Sequence, residues 1–294
     1  FFDFFIYLCN KFVKKKVMSI EIKQIIQIAD VHLRCIQRME EYTEQLLKLL
    51  DKIQEITRPF KQEEVRIVIC GDLLHQKNTL SPELIVFAST FIRQLEEFGK
   101  VIVIAGNHDL IVTNQSRKDA ITAIFETASF DNTYFLDYEL EFQSGCVVDE
   151  NITWAVYSIY NDYLRPDIET HKESHPNNKV FGLYHGMIVG AQMNNGQVAD
   201  CGVDKNIFQG CDVVLAGDVH KRQSIKRGKT EIVYAGSLIQ QNFGETISQH
   251  GFEVWDVETN SHKFIELDSE YSLLDIEINS FEDIDLDRER LINF

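Results

Sequence analysis

The feature that most limits the folds open to this chain is a unit that occurs twice in its first half: an apolar run, a helical pattern and a second apolar run. In the first occurrence, residues 22–30 (IKQIIQIAD) predict a strand and residues 38–57 place apolar side chains at helical spacing. Residues 65–72 (VRIVICGD) then predict a strand that is buried on both faces. Because strands joined through a helix lie parallel in one sheet, the sequence predicts an α/β fold.

The second unit carries its own start signal for a helix. Ser81 is placed to cap the helix, Pro82 occupies its first turn, and residues 100–109 (KVIVIAGNHD) return as a strand. A further helix is predicted within residues 117–128. The second half is mostly strands, and two sheets packed between helices fit this order better than one sheet. The strands predicted there are 133–142, 152–160, 179–186, 211–217, 230–237 and 251–258.

The net charge limits how the chain could bind nucleic acid. Its formal charge is -17 at pH 7, which argues against a protein that holds nucleic acid through a broad basic face. Any contact with a phosphate backbone must then be local. One dense group of cations is either such a contact or a solvated hairpin, and it consists of Lys221, Arg222, Lys226, Arg227 and Lys229.

Cysteine usage and the N-terminal segment bear on the compartment. The six cysteines are scattered without a C-x-x-C pair, so free thiols are expected and a cytoplasmic location is predicted. Residues 1–17 are interrupted by Asp3 and Asn10, and their cations follow the apolar part, so neither a membrane span nor a secretory signal is expected. Because Met18 precedes the first strand, residues 1–17 are interpreted as an extension from upstream translation or a fragment boundary.

Five predicted strands end in the same kind of polar stretch. Catalytic groups of α/β folds gather at the carboxyl ends of strands, so these stretches predict one site. Asp, Asn and His without thiolates favour Mn²⁺ or Fe²⁺, and the imidazole content is higher than Mg²⁺ usually tolerates. The set offers more ligands than one ion takes, which indicates two ions that share a carboxylate. The stretches are ADVH (29–32), GDLLH (71–75), GNHD (106–109), YHG (184–186) and GDVH (217–220).

In this order and spacing, the motifs resemble those of the calcineurin-like metallophosphoesterase superfamily over about residues 22–265. The resemblance implies a four-layer α-β-β-α sandwich with a dinuclear metal site. GDLLH stands in place of G-D-x-x-D-R-G, and GNHD in place of G-N-H-E. Together with YAGSLIQQNFGE (234–245), these differences resemble the SbcD-type nuclease subunit of a double-strand-break repair complex and phage recombination endonuclease subunits.

The resemblance also assigns the metal ligands position by position. It implies that Asp72 bridges the two ions. The ligands it implies besides Asp72 are Asp30, His32 and His220 for the first ion, and Asn107, His185 and Asp218 for the second.

Three further residues receive roles from the resemblance, and one ligand departs from the pattern. His108 is implied to steady the phosphate or protonate the leaving oxygen, Asp109 to orient His108, and His75 to lie near the substrate. The family usually has histidine where this chain has Asp218. An anionic oxygen ligand there is expected either to favour hard ions at the second position or to weaken metal binding at that position.

The sequence and the resemblance together predict a metal-dependent DNA phosphodiesterase. The resemblance implies exonuclease and endonuclease activity in recombination and double-strand-break repair, through two-metal in-line hydrolysis. It also implies a homodimer and a partner ATPase of the SbcC type. Mn²⁺ is the expected ion, with Mg²⁺ or Fe²⁺ as alternatives. A phosphatase or cyclic-nucleotide phosphodiesterase with the same core, and a degenerate scaffold subunit, stay open; the missing G-D-x-x-D-R-G disfavours a protein phosphatase.

The remaining expectations concern boundaries and other histidines. Residues 18–267 are expected to form the nuclease domain, and the acidic residues 268–294 to begin a truncated, capping-type segment. No functional role is predicted for four histidines outside the motifs. They are expected at the surface, and they are His171, His175, His250 and His262.

Overall fold

Two six-stranded sheets lie face to face in the computed structural model, which describes residues 20–34, 38–77, 80–111 and 118–274. The predicted extension 1–17 and residues 275–294 of the predicted C-terminal segment lie outside the described residues. The strands of the described part are β1 Gln24–Ile28, β2 Val65–Cys70, β3 Lys100–Ile104, β4 Thr133–Phe135, β5 Gly145–Asp149, β6 Ile152–Tyr157, β7 Lys179–His185, β8 Val213–Gly217, β9 Gln223–Arg227, β10 Thr230–Tyr234, β11 Gly251–Asp256 and β12 Ser261–Glu266.

Each sheet has a parallel centre and at least one antiparallel edge. In the first sheet, with the order β12-β11-β1-β2-β3-β4, the strands β1 to β4 are parallel, β11 is antiparallel to β1, and β12 is antiparallel to β11. In the second, with the order β5-β6-β7-β8-β10-β9, the strands β6, β7, β8 and β10 are parallel. The carboxyl ends of five strands that carry the predicted ligands therefore meet at one edge of the sandwich.

The helices that begin at Met39, Pro82 and Ala120 cover the first sheet and follow the predicted pattern, whereas those that begin at Leu136 and Ile168 were not predicted. Among the described residues, none of them combines the length and the hydropathy that a membrane-spanning helix needs. Ser81 caps the second helix as predicted, since its side chain accepts the backbone N–H of Leu84 at 3.2 Å. The helices are α1 Met39–Thr57, α2 Pro82–Glu96, α3 Ala120–Thr127, α4 Leu136–Glu139 and α5 Ile168–Ser174.

Three apolar layers hold the four-layer sandwich together. One lies between the first sheet and helices α1 to α3, and another on the outer face of the second sheet around Tyr157 and Phe208. The inner layer between the sheets contains Trp154, Phe181 and Trp255, all fully buried. The fold is thus the α-β-β-α arrangement that the motifs implied.

One predicted strand is mostly wrong. Only Thr133–Phe135 of residues 133–142 is a strand, and α4 follows it directly. Asp137 explains the change, because its buried carboxylate accepts the backbone N–H of Ala105 at 2.8 Å and the hydroxyl of Ser158. The strands β5, β9 and β12 were not predicted from their sequences.

Two of the four histidines expected at the surface are not there. His250 is buried, and its ring nitrogen Nδ1 lies 3.1 Å from the Ser237 hydroxyl. His262 stacks on Trp255 with ring centroids 4.3 Å apart, and its Nδ1 lies 2.8 Å from Glu253. Both pack around β11. Their flanking sequence is typical of loops and did not predict this packing.

Candidate metal centre

The loops that follow β1 and β2 run side by side beyond the sheet. The backbone N–H of His32 donates to the carbonyl of Asp72 at 2.9 Å, and that of His75 donates to the carbonyl of Leu33 at 3.1 Å. An isolated bridge between Leu33 and Leu74 continues the parallel pairing. The first two polar stretches are therefore held in register by the backbone.

The donor residues themselves make sharp turns at the strand ends. Asp30 and His32 have φ of 51°, Asp72 has φ of 52° and Asp218 has φ of 92°. Non-glycine residues in this left-handed region cost about 1–3 kcal/mol each and cluster at functional sites. An ordinary turn after a strand does not require four non-glycine residues with positive φ, so these turns indicate a functional site.

Close contact between the strand ends also depends on Gly106. A Cβ added at Gly106 would lie 2.1 Å from Oδ1 of Asp72. The bare backbone thus leaves the space that the Asp72 carboxylate occupies, and any larger residue would push this carboxylate out of the centre.

The first donor group consists of Asp30, His32 and His220. Their ligand-type atoms lie within 4.8 Å of one another. Nε2 of His32 lies 3.0 Å from Nε2 of His220, and Oδ1 of Asp30 lies 4.0 Å from the latter. Two imidazole nitrogens that face each other at this distance need a proton or a cation between them, because two lone pairs would repel.

Asp72 lies between this group and a second one. Its Oδ2 is 3.5 Å from Nε2 of His32, and its Oδ1 is 3.4 Å from Nε2 of His185. The two carboxylate oxygens thus face different histidines, which is the arrangement expected of a carboxylate shared by two ions.

The second donor group gathers around His185. Asp30, Asp72 and His185 place ligand-type atoms within 4.8 Å, so Asp30 belongs to both groups. Nε2 of His185 also lies 3.2 Å from Oδ1 of Asn107 and 3.9 Å from Oδ1 of Asp218. The structure therefore brings together all seven residues predicted as ligands, and the Asp218 carboxylate points inward.

Contacts behind the histidines fix which nitrogen faces the centre. Nδ1 of His185 lies 2.7 Å from the carbonyl of Cys70, and Nδ1 of His220 lies 2.7 Å from Oε1 of Glu245. An Nδ1–H that donates outward leaves Nε2 free as a ligand. Sequence reasoning missed Glu245, although it closes the YAGSLIQQNFGE stretch.

Among the described residues, the buried carboxylates of the centre have no lysine or arginine partner, and this shapes the electrostatics. Burial raises the pKa of Asp30 to about 6. For His185, burial lowers the pKa, but the charges of Asp72, Asp30 and Asp218 outweigh it and hold the pKa well above its usual value. The centre thus holds protons where a divalent cation would neutralise the same carboxylates, so protons and cations compete for it.

His75 and His108 lie beside the first donor group. Their rings stack with centroids 5.4 Å apart, and the ring of His108 meets that of His32 edge-on at 4.8 Å. Nδ1 of His108 lies 2.9 Å from the carbonyl of His75. An Nδ1–H that donates to this carbonyl turns Nε2 of His108 away from it.

Asp109 lies below the site and contacts backbone. Its carboxylate accepts the N–H groups of Leu73, Leu74 and Gly106 at 3.2, 2.8 and 2.9 Å. Nδ1 of His108 faces the carbonyl of His75, so the predicted orientation of His108 by Asp109 would act through the backbone that Asp109 holds. Asp109 positions the two loops that carry Asp72 and His108.

Arg34 is a second residue that sequence reasoning missed. Its Nη2 lies 3.1 Å from Oε1 of Gln241, whose backbone N–H donates to Oε2 of Glu245 at 2.9 Å. Its charge also contributes to the lowered pKa of His75, which is about 4 and is caused first by burial. Arg34 thus places a guanidinium beside the histidines. The sequence signal was its position two residues after His32.

The cations of the predicted basic patch lie in three different places in the structure. The guanidinium of Arg222 pairs with Glu253 at 2.6 Å and lies 4.7 Å from the ring centre of Phe264, so it packs against the first sheet. Lys226, Arg227 and Lys229 lie on the β9–β10 hairpin. Lys221 lines a cleft that Asp218 and His220 also line.

Known proteins are similar to this chain over most of its length. A family model described as calcineurin-like phosphoesterase matches residues 23–222. An uncharacterized protein of Acanthamoeba polyphaga mimivirus is 35% identical over 264 residues, which cover 85% of this chain and 18% of that protein. The SbcD subunit of the nuclease SbcCD of Staphylococcus saprophyticus is 28% identical over 272 residues, which cover 83% of this chain and 69% of that protein.

Solved structures are similar as well. The crystal structure of a hypothetical protein from Pyrococcus horikoshii OT3 covers 92% of this chain and 93% of its own, with 14% sequence identity and a TM-score of 0.39.

Proposed function

Because the chain belongs to the calcineurin-like phosphoesterase family, we propose that it is a divalent-metal-dependent phosphodiesterase that cleaves DNA. The observation that carries the proposal is the meeting of five strand ends in two donor groups that share Asp30 and are joined by Asp72. A structural cluster would pair such buried carboxylates with lysine or arginine, whereas these face imidazoles.

The donor set fits two hard or borderline divalent ions. A first ion would be held by Asp30, His32, Asp72 and His220. A second would be held by Asp72, Asn107, His185 and Asp218. Such ions supply positive charge that polarises a phosphoester and stabilises the charge of the transition state. Mn²⁺ suits this mixture of oxygen and imidazole ligands best, and Asp218 favours a hard ion at the second position.

The remaining groups act on the substrate directly. The doubly protonated ring of His108 is placed to donate its Nε2 proton to the leaving oxygen, because its Nδ1–H faces the carbonyl of His75. His75, with a pKa of about 4, is neutral at pH 7 and adds a hydrogen-bonding imidazole next to it. Arg34 supplies a charge for a non-bridging phosphate oxygen.

DNA is favoured as the substrate by the relatives. The SbcD subunit of the nuclease SbcCD of Staphylococcus saprophyticus aligns with 83% of this chain. Since the chain carries a formal charge of -17, the phosphate backbone must be met by local cations. Lys221 lines a cleft together with Asp218 and His220, and the charge of Arg34 acts on His75. Exonuclease and endonuclease activity in recombination and double-strand-break repair is part of the proposal.

The proposal also covers the partner and the oligomeric state of the chain. The relative is named as one subunit of a nuclease, which supports a partner for this chain. We assign this role to an SbcC-type ATPase, and we propose a homodimer of the nuclease chain. Light scattering of the purified protein tests the dimer, and a monomeric mass at micromolar concentration would contradict it.

The function is tested with a panel of substrates. The protein is incubated with Mn²⁺ and labelled linear DNA, a phosphopeptide or a cyclic nucleotide. Cleavage of DNA alone is expected. Turnover of only the phosphopeptide or only the cyclic nucleotide would replace the proposal by a phosphatase or a cyclic-nucleotide phosphodiesterase, and no turnover at all would support a scaffold subunit.

The role of His108 is tested in the same assay. His108→Ala is expected to lower the rate of DNA cleavage about 10²- to 10⁴-fold while the metal content stays unchanged. The matched control is His175→Ala, at an exposed histidine directly after α5, which should leave both unchanged. Loss of an ion in His108→Ala would make His108 a ligand instead.

A further inference from the structure

A cleft beside the donor groups has no part in the function proposed so far. Its volume is about 340 Å³, and Asp218 and His220 form part of its lining. Residues 193–195 also line it, together with Asn242, Gly244 and Glu245, and Phe243 lies between two of these in the sequence. A cleft that begins at two donor residues is placed to take the part of a substrate that adjoins the reacting phosphate.

The lining of the cleft differs in chemistry from the donor groups. The amide side chain of Asn194 offers a donor and an acceptor, and Lys221 adds one cation. The amides of Asn195 and Asn242 already bond within the chain, to Gln197 and within the turn at 242–245. A neutral amide suits the edge of a nucleobase or a sugar oxygen, and one lysine suits a single phosphate group. The cleft therefore fits one nucleotide unit.

An exposed aromatic residue lies in the same turn as residues that line the cleft. Phe243 lies between Asn242 and Gly244, which both line the cleft, and it is 64% exposed. The backbone N–H of Glu245 donates to the carbonyl of Asn242 at 3.2 Å, so Phe243 occupies the first central position of a tight turn.

This turn is tied to the first donor group. Nδ2 of Asn242 donates to Oε1 of Glu245 at 2.7 Å, and the same oxygen lies 2.7 Å from Nδ1 of His220. The Glu245 carboxylate is buried, with 2% of the side chain exposed. The phenyl ring therefore extends from a support whose position is coupled to a predicted metal ligand.

A single exposed apolar side chain needs no explanation on an ordinary surface. Phe243 differs, because its turn is pinned by a buried carboxylate and adjoins a polar cleft. An aromatic face next to a phosphate-binding site is the usual platform for a base, since every nucleobase presents a π face.

We infer that Phe243 stacks on an unpaired nucleobase next to the cleaved phosphodiester, whose nucleoside occupies the cleft. The inference rests on the proposed DNA phosphodiesterase function and narrows its substrate to strands with a free base face at that position. A base inside a duplex already has both faces stacked on its neighbours and cannot offer one.

The test removes the Phe243 ring and the nucleobase, separately and together. A single-stranded oligonucleotide is compared with versions that carry one abasic nucleotide at each position in turn, and kcat/KM with Mn²⁺ is measured for the wild type and for Phe243→Ala. At one position the abasic nucleotide should lower the wild-type kcat/KM about 5- to 150-fold, and Phe243→Ala should lower kcat/KM on the intact oligonucleotide by a similar factor. For Phe243→Ala, the abasic nucleotide at that position should cause no further decrease in kcat/KM.

Controls separate the possible outcomes. Phe243→Tyr keeps the ring and should retain the wild-type values, and Val86→Ala, at a residue on α2 that is 65% exposed, should too. Unchanged Tm and metal content exclude a folding defect in Phe243→Ala. If, at every position, the decrease in kcat/KM for Phe243→Ala on the abasic oligonucleotide equals the product of the two separate decreases, the stacking inference is wrong while the nuclease proposal stands. If the wild type cleaves no DNA, the proposed function fails, and the inference fails with it.

Discussion

Carboxylates are buried at both ends of the parallel strands, but their partners differ. At the amino ends, Asp149 receives Nε and Nη2 of Arg66 at 2.6 and 2.9 Å and Nζ of Lys100 at 2.8 Å. At the carboxyl ends, Asp30 and Asp72 form ion pairs only with histidines among the described residues. One end carries its own counter-ions, and the other depends on protons or on a cation from outside.

The two ends show that burial alone does not set the charge of a carboxylate. Burial raises the pKa of both Asp30 and Asp149, but Arg66 and Lys100 outweigh it at Asp149 and lower the pKa there to about 2. At Asp30 burial prevails, and the pKa is about 6. The amino end is built for stability, whereas the carboxyl end keeps unneutralised charge that a ligand can use.

The largest effect is expected from a substitution in the donor groups at the carboxyl ends of the strands. Asp72→Asn should lower kcat/KM at least about 1,000-fold, because it removes several kcal/mol of charge complementarity between the chain and its ions. Since the two Asp72 oxygens face His32 and His185, both ions should be lost together. Elemental analysis of the purified variant measures this. One fully occupied ion in the variant would show that Asp72 is not shared.

The next largest effect breaks the amino end. Asp149→Asn should lower the free energy of unfolding by about 3–5 kcal/mol, because it leaves the buried Arg66 guanidinium without its carboxylate. Urea denaturation measures the loss. Metal content and activity should stay at wild-type values, and a parallel loss of metal would mean that the two ends are not independent.

A control for Asp149→Asn uses an exposed ion pair. Glu64→Gln removes the partner of Lys23 at the same end of the sheet, with Nζ to Oε1 at 2.6 Å. Because Lys23 is half exposed, this variant should unfold at nearly the wild-type urea concentration.

Acidification should bring the stability of the wild type closer to that of Asp149→Asn. The folded pKa of Asp149, about 2, lies below the usual 3.8, so its contribution is complete above pH 4 and is lost as the pH falls towards 2. This contribution is about 2 kcal/mol. The difference in stability between the two proteins should therefore shrink by that amount between pH 4 and pH 2 in urea titrations. A constant difference over this range would contradict the assignment.

The smallest expected effect weakens a support of the carboxyl end. Glu245→Gln removes the charge behind His220 while it keeps an oxygen for the contact, and metal affinity or activity should fall about 10- to 100-fold. Titration with Mn²⁺ measures the affinity. Glu169→Gln, at an exposed glutamate of α5, is the control and should bind Mn²⁺ as the wild type does. An unchanged affinity in Glu245→Gln would limit Glu245 to shaping its own turn.

The donor residues could be predicted because each follows an apolar strand directly. The strand end fixes the location, and a motif such as DVH shows which side chains share a face. Glu245 and Arg34 could not be predicted in this way. Their partners, His220 and Gln241, lie 25 and 207 residues away in the sequence, and the loop around Glu245 belongs to neither a strand nor a helix.

The failures of prediction have a common physical source. Residues 133–142 alternate like a strand, but the buried contact of Asp137 with Ala105 turns the chain into a helix after Phe135. His250 and His262 look like loop residues, yet both fill space beside β11. In each case a tertiary partner, which local pattern does not contain, decides the outcome.

The distribution of the donors along the chain has a consequence for biosynthesis. They extend from Asp30 after the first strand to His220 after the eighth, and Glu245 behind His220 lies further on. A nascent chain on the ribosome cannot assemble the first donor group until His220 has been synthesised and the strands that carry Asp30 and His220, one in each sheet, have come together. Loading with metal should therefore mark chains that have completed folding, and partly made or proteolytically clipped chains should stay inert towards phosphodiesters.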